Sequence, residues 1–346
     1  MKAAIYNPYW DILGGGERYV ASVVKYLDDN GYDVDIWWPE DITQKIKDRF
    51  GIILNDVHFL PFDPVKVSFF DRIYKTSQYD LIFWVSDGSI PLSLAKKTII
   101  HMQIPAHWKG CDTWPNRIKA KKYIFVCNSN FTKSVIDKIY GINSQVIYPL
   151  VGIKNFTALP KQNVIVSIGR LAHLLHAKRQ DVLIKAFSRL SQRLPGWKLI
   201  LAGGSEDAEY IKNLNSLIKK LPIEIIKNPS FVQIRELLGK AKIFWSATGY
   251  GVNIKLFPEK AEHFGITTVE AMAAGCVPIV TDSGGHLETV RPGENGYLWH
   301  TIEQLNSQTL SLINDENLYN QLQKTAIADS QKYSIEKFND NLSKII

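Results

Sequence analysis

The sequence predicts an α/β protein made of two successive Rossmann-like domains, and three observations carry that prediction. Short apolar runs alternate with amphipathic stretches along almost the whole chain. The series opens twice, at "KAAIYN" and again at "NVIVSIGRL". With 346 residues, 45% of them hydrophobic and 22% charged, the chain is long enough for two domains of about 150–170 residues, each with its own core.

In chain order, "KAAIYN" reads as a strand, "GGGERYVASVVKYLDDNG" as a loop entering an amphipathic helix, and "YDVDIWW" as the next strand. "DLIFWVS", "KTIIHM" and "KYIFVCNS" are further short apolar runs, each followed by polar or turn-forming residues. "VIYPLVGIKNF" is expected as a strand leaving the first sheet, with the join between domains near residues 150–160. The second series runs through "NVIVSIGRL", "WKLILAGG", "PIEIIKN", "KIFWSAT" and "CVPIVTD", with helical segments between them. The tail "SIEKFNDNLSKII" has helical apolar spacing, with Ser334 placed as an N-cap. In such folds ligands bind beyond the carboxyl ends of the strands, so a cleft between the two domains is the expected site.

Composition narrows the function classes. No run of about 20 apolar residues suggests a membrane span, and no signal-peptide pattern precedes the first strand. Cys111, Cys127 and Cys276 have neither metal-site spacing nor an even disulfide count, which suits a reducing cytoplasm. The net charge of +7 is spread along the chain. Residues 1–154 carry 19 Lys/Arg against 16 Asp/Glu, leaving 41 − 19 = 22 against 34 − 16 = 18 for the rest. A mild positive charge suits an anionic small ligand or an anionic membrane surface. No nucleic-acid-binding motif accompanies it.

Three stretches could carry chemistry. Gly14-Gly15-Gly16 follows the first strand and opens a helix, where small residues let the backbone approach a phosphate. Its spacing is not the dinucleotide fingerprint, and a tight strand-to-helix turn explains it as well. Glu17 and Arg18 come directly after it. Arg170 lies just after the strand-ending Gly169 and Lys178 just before the next helix, so both would project from loops at the carboxyl end of the second sheet. A diphosphate there would accept charge-assisted hydrogen bonds, each worth roughly 1.5–3 kcal/mol; two solvated loop cations are the plain alternative. In "FPEKAEHFGITTVEAMAAGCVPIV", the helix is expected to begin near Gly265 or Ile266, so amides of Phe264, Gly265 and Ile266 would face an anion. Glu270 would then stand about 7–8 Å along the axis, a distance that suits a ribose attached to a phosphate at the helix mouth. A favourable charge near a helix N-terminus accounts for Glu262, but not for an acid inside "VEAMAAG".

The stretch "EHFGITTVEAMAAGCVPIVTDSGGHLETVRPGENGYL", with seven residues between Glu262 and Glu270, resembles the family 4 glycosyltransferases, retaining enzymes of the GT-B fold. "GGGERYV", "SIGRL" with its later Lys178, "LILAGG", "IIHMQIP", "VCNSNFTKSVI" and "VIYPLV" extend the likeness over most of the chain. The resemblance implies two Rossmann-like domains facing across a cleft. Residues 1–155 would form the acceptor side, residues 156–330 would bind the nucleotide sugar, and a C-terminal helix in 331–346 would pack back on the first domain.

Roles follow from the same resemblance. Glu270 would bind ribose hydroxyls and Glu262 the transferred sugar, while amides over Phe264, Gly265, Ile266 and Thr267 would hold sugar and phosphates. Arg170 and Lys178 would neutralise the departing diphosphate, Gly15 and Gly16 would let a loop close over the phosphates, and His101 would stand near sugar and acceptor. The Arg-to-Lys spacing is longer here, through "AHLLHA", and His176 would compete with Lys178 only under an unexpected loop fold.

The expected reaction is metal-independent transfer of a hexose from a nucleoside diphosphate sugar to a glycan or lipid-linked acceptor, with no cofactor. No acidic metal-binding pair such as Asp-x-Asp is evident at a strand end, and no Cys/His cluster of metal-ligand spacing is evident. On the acceptor side, His107, Trp108 and Trp114 lie in "MQIPAHWKGCDTW", and aromatic faces suit sugar rings as well as packing. "NRIKAKKY" supplies Arg117, Lys119, Lys121 and Lys122, either a solvated face or a contact for an anionic membrane. The rival readings are a sugar-nucleotide epimerase, a phosphorylase-like enzyme and a non-catalytic nucleotide-sugar or glycan-binding protein. A nicotinamide dehydrogenase lacks its fingerprint here.

Overall fold

The computed structural model describes residues 1–108, 110–173 and 178–346. The chain forms two compact units, Met1–Leu150 with Glu336–Ile346, and Val151–Ile335. In the first unit the order is β1 (Lys2–Tyr6), α1 (Gly15–Asp29), β2 (Asp33–Trp37), α2 (Thr43–Phe50), β3 (Val57–Leu60), α3 (Phe69–Ser77) and β4 (Leu81–Ser86). It continues through β5 (Lys97–Met102), α4 (Trp114–Ala120), β6 (Ile124–Cys127), α5 (Asn130–Tyr140) and β7 (Gln145–Val146). The second unit holds β8 (Gln162–Ile168), α6 (Gln180–Leu190), β9 (Lys198–Gly203), α7 (Ala208–Ile218), β10 (Ile223–Lys227), α8 (Phe231–Lys240) and β11 (Ala241–Ser246). There follow α9 (Ile266–Ala273), β12 (Val277–Thr281), α10 (His286–Thr289), β13 (Tyr297–Trp299), α11 (Ile302–Asn314), α12 (Glu316–Ser330) and, at the end of the chain, α13 (Ile335–Leu342).

Each sheet is parallel and doubly wound. The first has strand order β3-β2-β1-β4-β5-β6-β7 and the second β10-β9-β8-β11-β12-β13, so the order reverses at β1/β4 and at β8/β11. Ile5 pairs with Ile36 on one side and Phe83 on the other, and Ile165 sits between Leu199 and Ile243. Strands covered by helices on both faces must be apolar throughout, and all six residues of β4, "LIFWVS", are buried. The helices cover them with single stripes: α1 buries Tyr19, Val20, Val23, Val24 and Leu27.

The cores are separate clusters. In the first unit α1 packs with β1, β2 and β4, and Phe338, Leu342 and Ile345 of the C-terminal segment join this core. Phe338 meets Tyr19 edge-on, with ring centroids 5.1 Å apart, and Lys97 Nζ donates to the Ile345 and Ile346 carbonyls at 3.0 and 2.8 Å. In the second unit Trp245 and Trp299 are wholly buried, and the Trp245 indole N–H donates to Thr309 Oγ1 at 3.1 Å. Lys161 binds the carbonyls of Ala241 at 2.8 Å and Ala274 at 2.7 Å, setting a cation at the C-terminal ends of α8 and α9, where the helix dipole favours it.

One expected strand is corrected. Of "VIYPLVGIKNF" only Val146 lies in a strand, the two-residue β7, and the chain later makes a single 3₁₀ turn at Ile153–Asn155. Pro149 has no amide to give a ladder, so pairing stops before it. The short edge strands β3 and β13 were absent from the sequence reading.

Candidate active site

At the carboxyl ends of the second sheet, glycines bring three loops together. Gly169 follows β8, and a Cβ there would lie 2.7 Å from Lys178 Cγ, so the lysine stem runs against bare backbone. A Cβ on Gly203, which ends β9, would lie 1.9 Å from the Gly169 carbonyl oxygen. Lys178 Nζ then reaches Glu262, in the loop between β11 and α9, and donates to its Oε2 at 2.6 Å.

Glu262 is fixed from the other side by a glycine pair. The Gly285 amide donates to the Glu262 carbonyl at 2.6 Å. Gly284 has φ +62°, and a Cβ on it would stand 2.1 Å from that same carbonyl oxygen; one on Gly285 would stand 2.4 Å from Phe264 Cα. Only glycine lets these two loops touch. Burial, the largest influence on the Glu262 carboxyl, pushes its pKa up. Lys178, His286 and His263 together outweigh it and hold the group at about 2.

α9 begins at Ile266 with Gly265 as its N-cap at φ +96°, as the spacing anticipated. Amides of the first helical turn have no acceptor within the helix, so those of Ile266 and Thr267 open the helix mouth. Phe264 is buried against Tyr333, with ring centroids 5.1 Å apart. Glu270 lies one turn into α9 and is buried with its neighbours Thr268, Val269, Ala271 and Met272. Arg170 is exposed after β8, and its carbonyl accepts from Gln180 Nε2 at 3.1 Å. The structure therefore brings Lys178 and Glu262 into contact beside the α9 mouth, and it shows no such contact for the Arg170 side chain among the described residues. His176 lies outside the described residues.

The first-unit residues are placed differently. Gly15 starts α1, and the Gly14 amide is already taken by the Glu17 carboxylate at 2.8 Å, the helix capping itself. Gly16 makes room for Gln103, whose Oε1 would lie 1.9 Å from a Cβ there. His101, on β5, is wholly buried. Its ring stacks on Tyr19 at 4.1 Å and 14°, and its Nδ1 lies 3.2 Å from the Val126 carbonyl. Burial lowers its pKa to about 3, so the imidazole is neutral. His107 is half-buried and Trp108 is exposed in the loop before α4.

A family model described as glycosyl transferases group 1 matches residues 153–329, just over half of the chain and nearly the whole second unit. The chain belongs to the glycosyl transferases group 1 family. It is 26% identical to the GDP-Man:Man(3)GlcNAc(2)-PP-Dol alpha-1,2-mannosyltransferase of Dictyostelium discoideum over 63% of this chain, a match that spans only 45% of that relative. It is 27% identical to an uncharacterized glycosyltransferase of Haemophilus influenzae, across 96% of each. The crystal structure of Anabaena Alr3699/HepE in complex with UDP superposes with a TM-score of 0.78 at 18% identity, covering 99% of this chain and 98% of that one. The fold is GT-B, with two Rossmann-like domains.

To the residues singled out in the sequence, the structure adds His286. This residue starts α10, is wholly buried, and its Nδ1 lies 3.1 Å from both Thr281 O and Thr281 Oγ1. The carbonyl accepts only, so Nδ1 carries the proton in that contact, and Nε2 has no partner among the described residues. A Cβ on Gly265 would lie 3.4 Å from His286 Cδ2 and 3.5 Å from Glu262 Cγ, so the ring borders the α9 mouth. Burial lowers the His286 pKa to about 4, against the opposing charge of Glu262 and with Lys178 adding to the lowering. The one sequence signal for it was its place directly after Gly284-Gly285.

Proposed function

We propose that this glycosyltransferase moves a hexose, with retention of configuration, from a nucleoside diphosphate sugar to a glycan or lipid-linked acceptor, without a metal ion. The observation that carries this reading is the Lys178–Glu262 pair at 2.6 Å beside the mouth of α9, with Glu270 buried one turn further on. Breaking the bond between sugar and diphosphate builds positive charge on the sugar and negative charge on the leaving group. Lys178, the more exposed Arg170 and the amides of Gly265, Ile266 and Thr267 would meet the negative charge, and Glu262 would face the sugar. These cations take the electrostatic place a divalent ion has in other phosphate-handling sites. Glu270 would accept from the ribose hydroxyls. The acceptor would attack from the leaving-group side, with a departing phosphate oxygen as its base.

The relatives favour this reading. The Anabaena protein was crystallised with UDP, and the Dictyostelium enzyme uses GDP-mannose and a dolichol-linked glycan. For the acceptor side we propose His107 and Trp108, with His101 holding the strand end that precedes them. Among the described residues no helix is long and apolar enough to cross a membrane, so a lipid-linked acceptor would be met through peripheral contact with an anionic membrane. The free thiols Cys111, Cys127 and Cys276 suit a cytoplasmic site.

Calorimetry with UDP, GDP, ADP and dTDP tests the donor side. One of them is expected to bind, and Glu270→Ala to weaken that binding by roughly 2–4 kcal/mol, the scale of lost charged hydrogen bonds. Unchanged affinity in the variant would remove Glu270 from the ribose. Transfer is also expected to survive excess EDTA; activity lost with chelator and restored by magnesium or manganese would overturn the leaving-group assignment.

A further inference from the structure

Five of the large apolar side chains exposed on the first unit lie on two helices. Phe69, Phe70 and Tyr74 stand out from α3, and Trp114 and Ile118 from α4; Phe70 is 80% and Trp114 74% exposed. On α4 the residues Trp114, Arg117, Ile118 and Lys121 follow at i, i+3, i+4 and i+7, one stripe along the helix. That stripe lines a shallow cavity of about 220 Å³ with Tyr140 and Gly141. On α3, Phe70 and Tyr74 stand one turn apart in the same way.

Topology puts the two helices on one side of the sheet. α3 leads from β3 to β4 and α4 from β5 to β6, both moving in the same direction across the strand order. Right-handed crossovers in one direction share a face. The Lys119 ammonium is held below its usual range by burial and then by the charge of Arg72, which brings α3 and α4 within electrostatic reach of each other.

The charge around these aromatics has one dominant sign. Residues 114–122 carry Arg117, Lys119, Lys121 and Lys122 and no acid. Residues 63–75 carry Lys66, Arg72 and Lys75 against Asp63, which pairs with Lys66 at 3.0 Å, and Asp71, which is engaged by the Ser68 hydroxyl at 2.7 Å, so the excess cations lie mainly on α4. Exposed Phe, Tyr and Trp among cations suit the boundary between lipid headgroups and acyl chains, where the rings bury their faces and the cations meet phosphates.

We propose that the α3–α4 face of the first unit docks on an anionic phospholipid surface, with Phe70, Tyr74, Trp114 and Ile118 in the headgroup layer and Arg117, Lys121 and Lys122 against lipid phosphates. This rests on the membrane contact of the proposed function and specifies where that contact is made.

Vesicle flotation tests it, comparing phosphatidylcholine alone with phosphatidylcholine containing about a quarter phosphatidylglycerol, at about 0.1 M salt. The wild-type protein is expected to float only with the anionic vesicles. Reversing three exposed cations, in Arg117→Glu/Lys121→Glu/Lys122→Glu, should weaken binding about 100-fold or more, since each basic residue near such a surface contributes about fivefold. Phe70→Ser/Trp114→Ser should weaken it about tenfold or more and leave the remainder salt-sensitive. All five positions are exposed, and an unchanged unfolding midpoint confirms that the variants fold. If both variants bind like the wild type, this face is wrong and the membrane contact lies elsewhere. If the wild type ignores anionic vesicles, the membrane contact itself falls with it. A concentration-dependent dimer that Trp114→Ser dissolves would assign the face to a second copy of the chain and overturn the proposal.

Discussion

Replacing Lys178 by alanine is expected to lower sugar transfer by about 10²–10³-fold, the scale of losing one preorganised donor to transition-state charge. Two effects act together. In the proposed mechanism the leaving diphosphate loses a cation whose stem runs against the Gly169 backbone. Glu262 also loses its partner at 2.6 Å, and burial, the strongest influence on that carboxyl, is then opposed only by the neighbouring histidines. The carboxyl pKa rises from about 2, so residual turnover should gain a new acid limb in its pH profile. Glu262→Gln separates the two effects, because it would free Lys178 for the phosphates while removing the charge proposed to face the sugar. Its loss should appear at every pH, without a new limb. A Lys178→Ala enzyme with near-normal turnover would place the diphosphate elsewhere. A deep loss with an unchanged pH profile would show that the two side chains act independently.

Much of this site was legible because its residues lie on one short stretch. Glu262, Gly265 and Glu270 span nine positions, and helix geometry converts their spacing into a mouth and a buried carboxylate. Lys178 could be placed because it stands just before a helix, α6, in the loop that leaves β8. Its contact with Glu262 joins residues 84 apart and was invisible. His286 was missed for a related reason: it reaches the α9 mouth only because Gly284 and Gly285 let their turn lie against residues 262–264, a tertiary fit no local pattern encodes. Gln103 behaves likewise, filling the space that Gly16 leaves beside the first helix. In the fold, the central strands read clearly because both of their faces are buried. Two edge strands did not: Val57–Leu60 is only half-buried, and Tyr297–Trp299 is too short for a pattern. The apolar run "VIYPLVGIKNF" imitates a strand because Val151, Ile153 and Phe156 are buried without lying in one.

Between pH 6.5 and 4.5 the protein is expected to lose on the order of 5 kcal/mol of stability, shared between its two units, through His101 and His286. Both imidazoles are wholly buried, and desolvation is the main cause of their lowered values of about 3 and about 4. In the unfolded chain each takes up its proton near 6.5; in the fold neither does so until the pH is far lower. Over that window the unfolded state binds more protons, so acid favours unfolding, with roughly 2–3 kcal/mol from each residue at pH 4.5. Glu262 does not contribute there. Its folded pKa is lowered to about 2, so its stabilisation is complete above its unfolded value of 4.5 and is lost only below it. Urea unfolding at pH 7 and pH 4.5, followed separately in the two units, measures the loss. His101→Phe should flatten the pH dependence of the first unit only, and His286→Phe that of the second only, because phenylalanine keeps a buried ring and removes the titration. A pH dependence that survives either substitution in its own unit would mean that the histidine is not the group taking up the proton on unfolding.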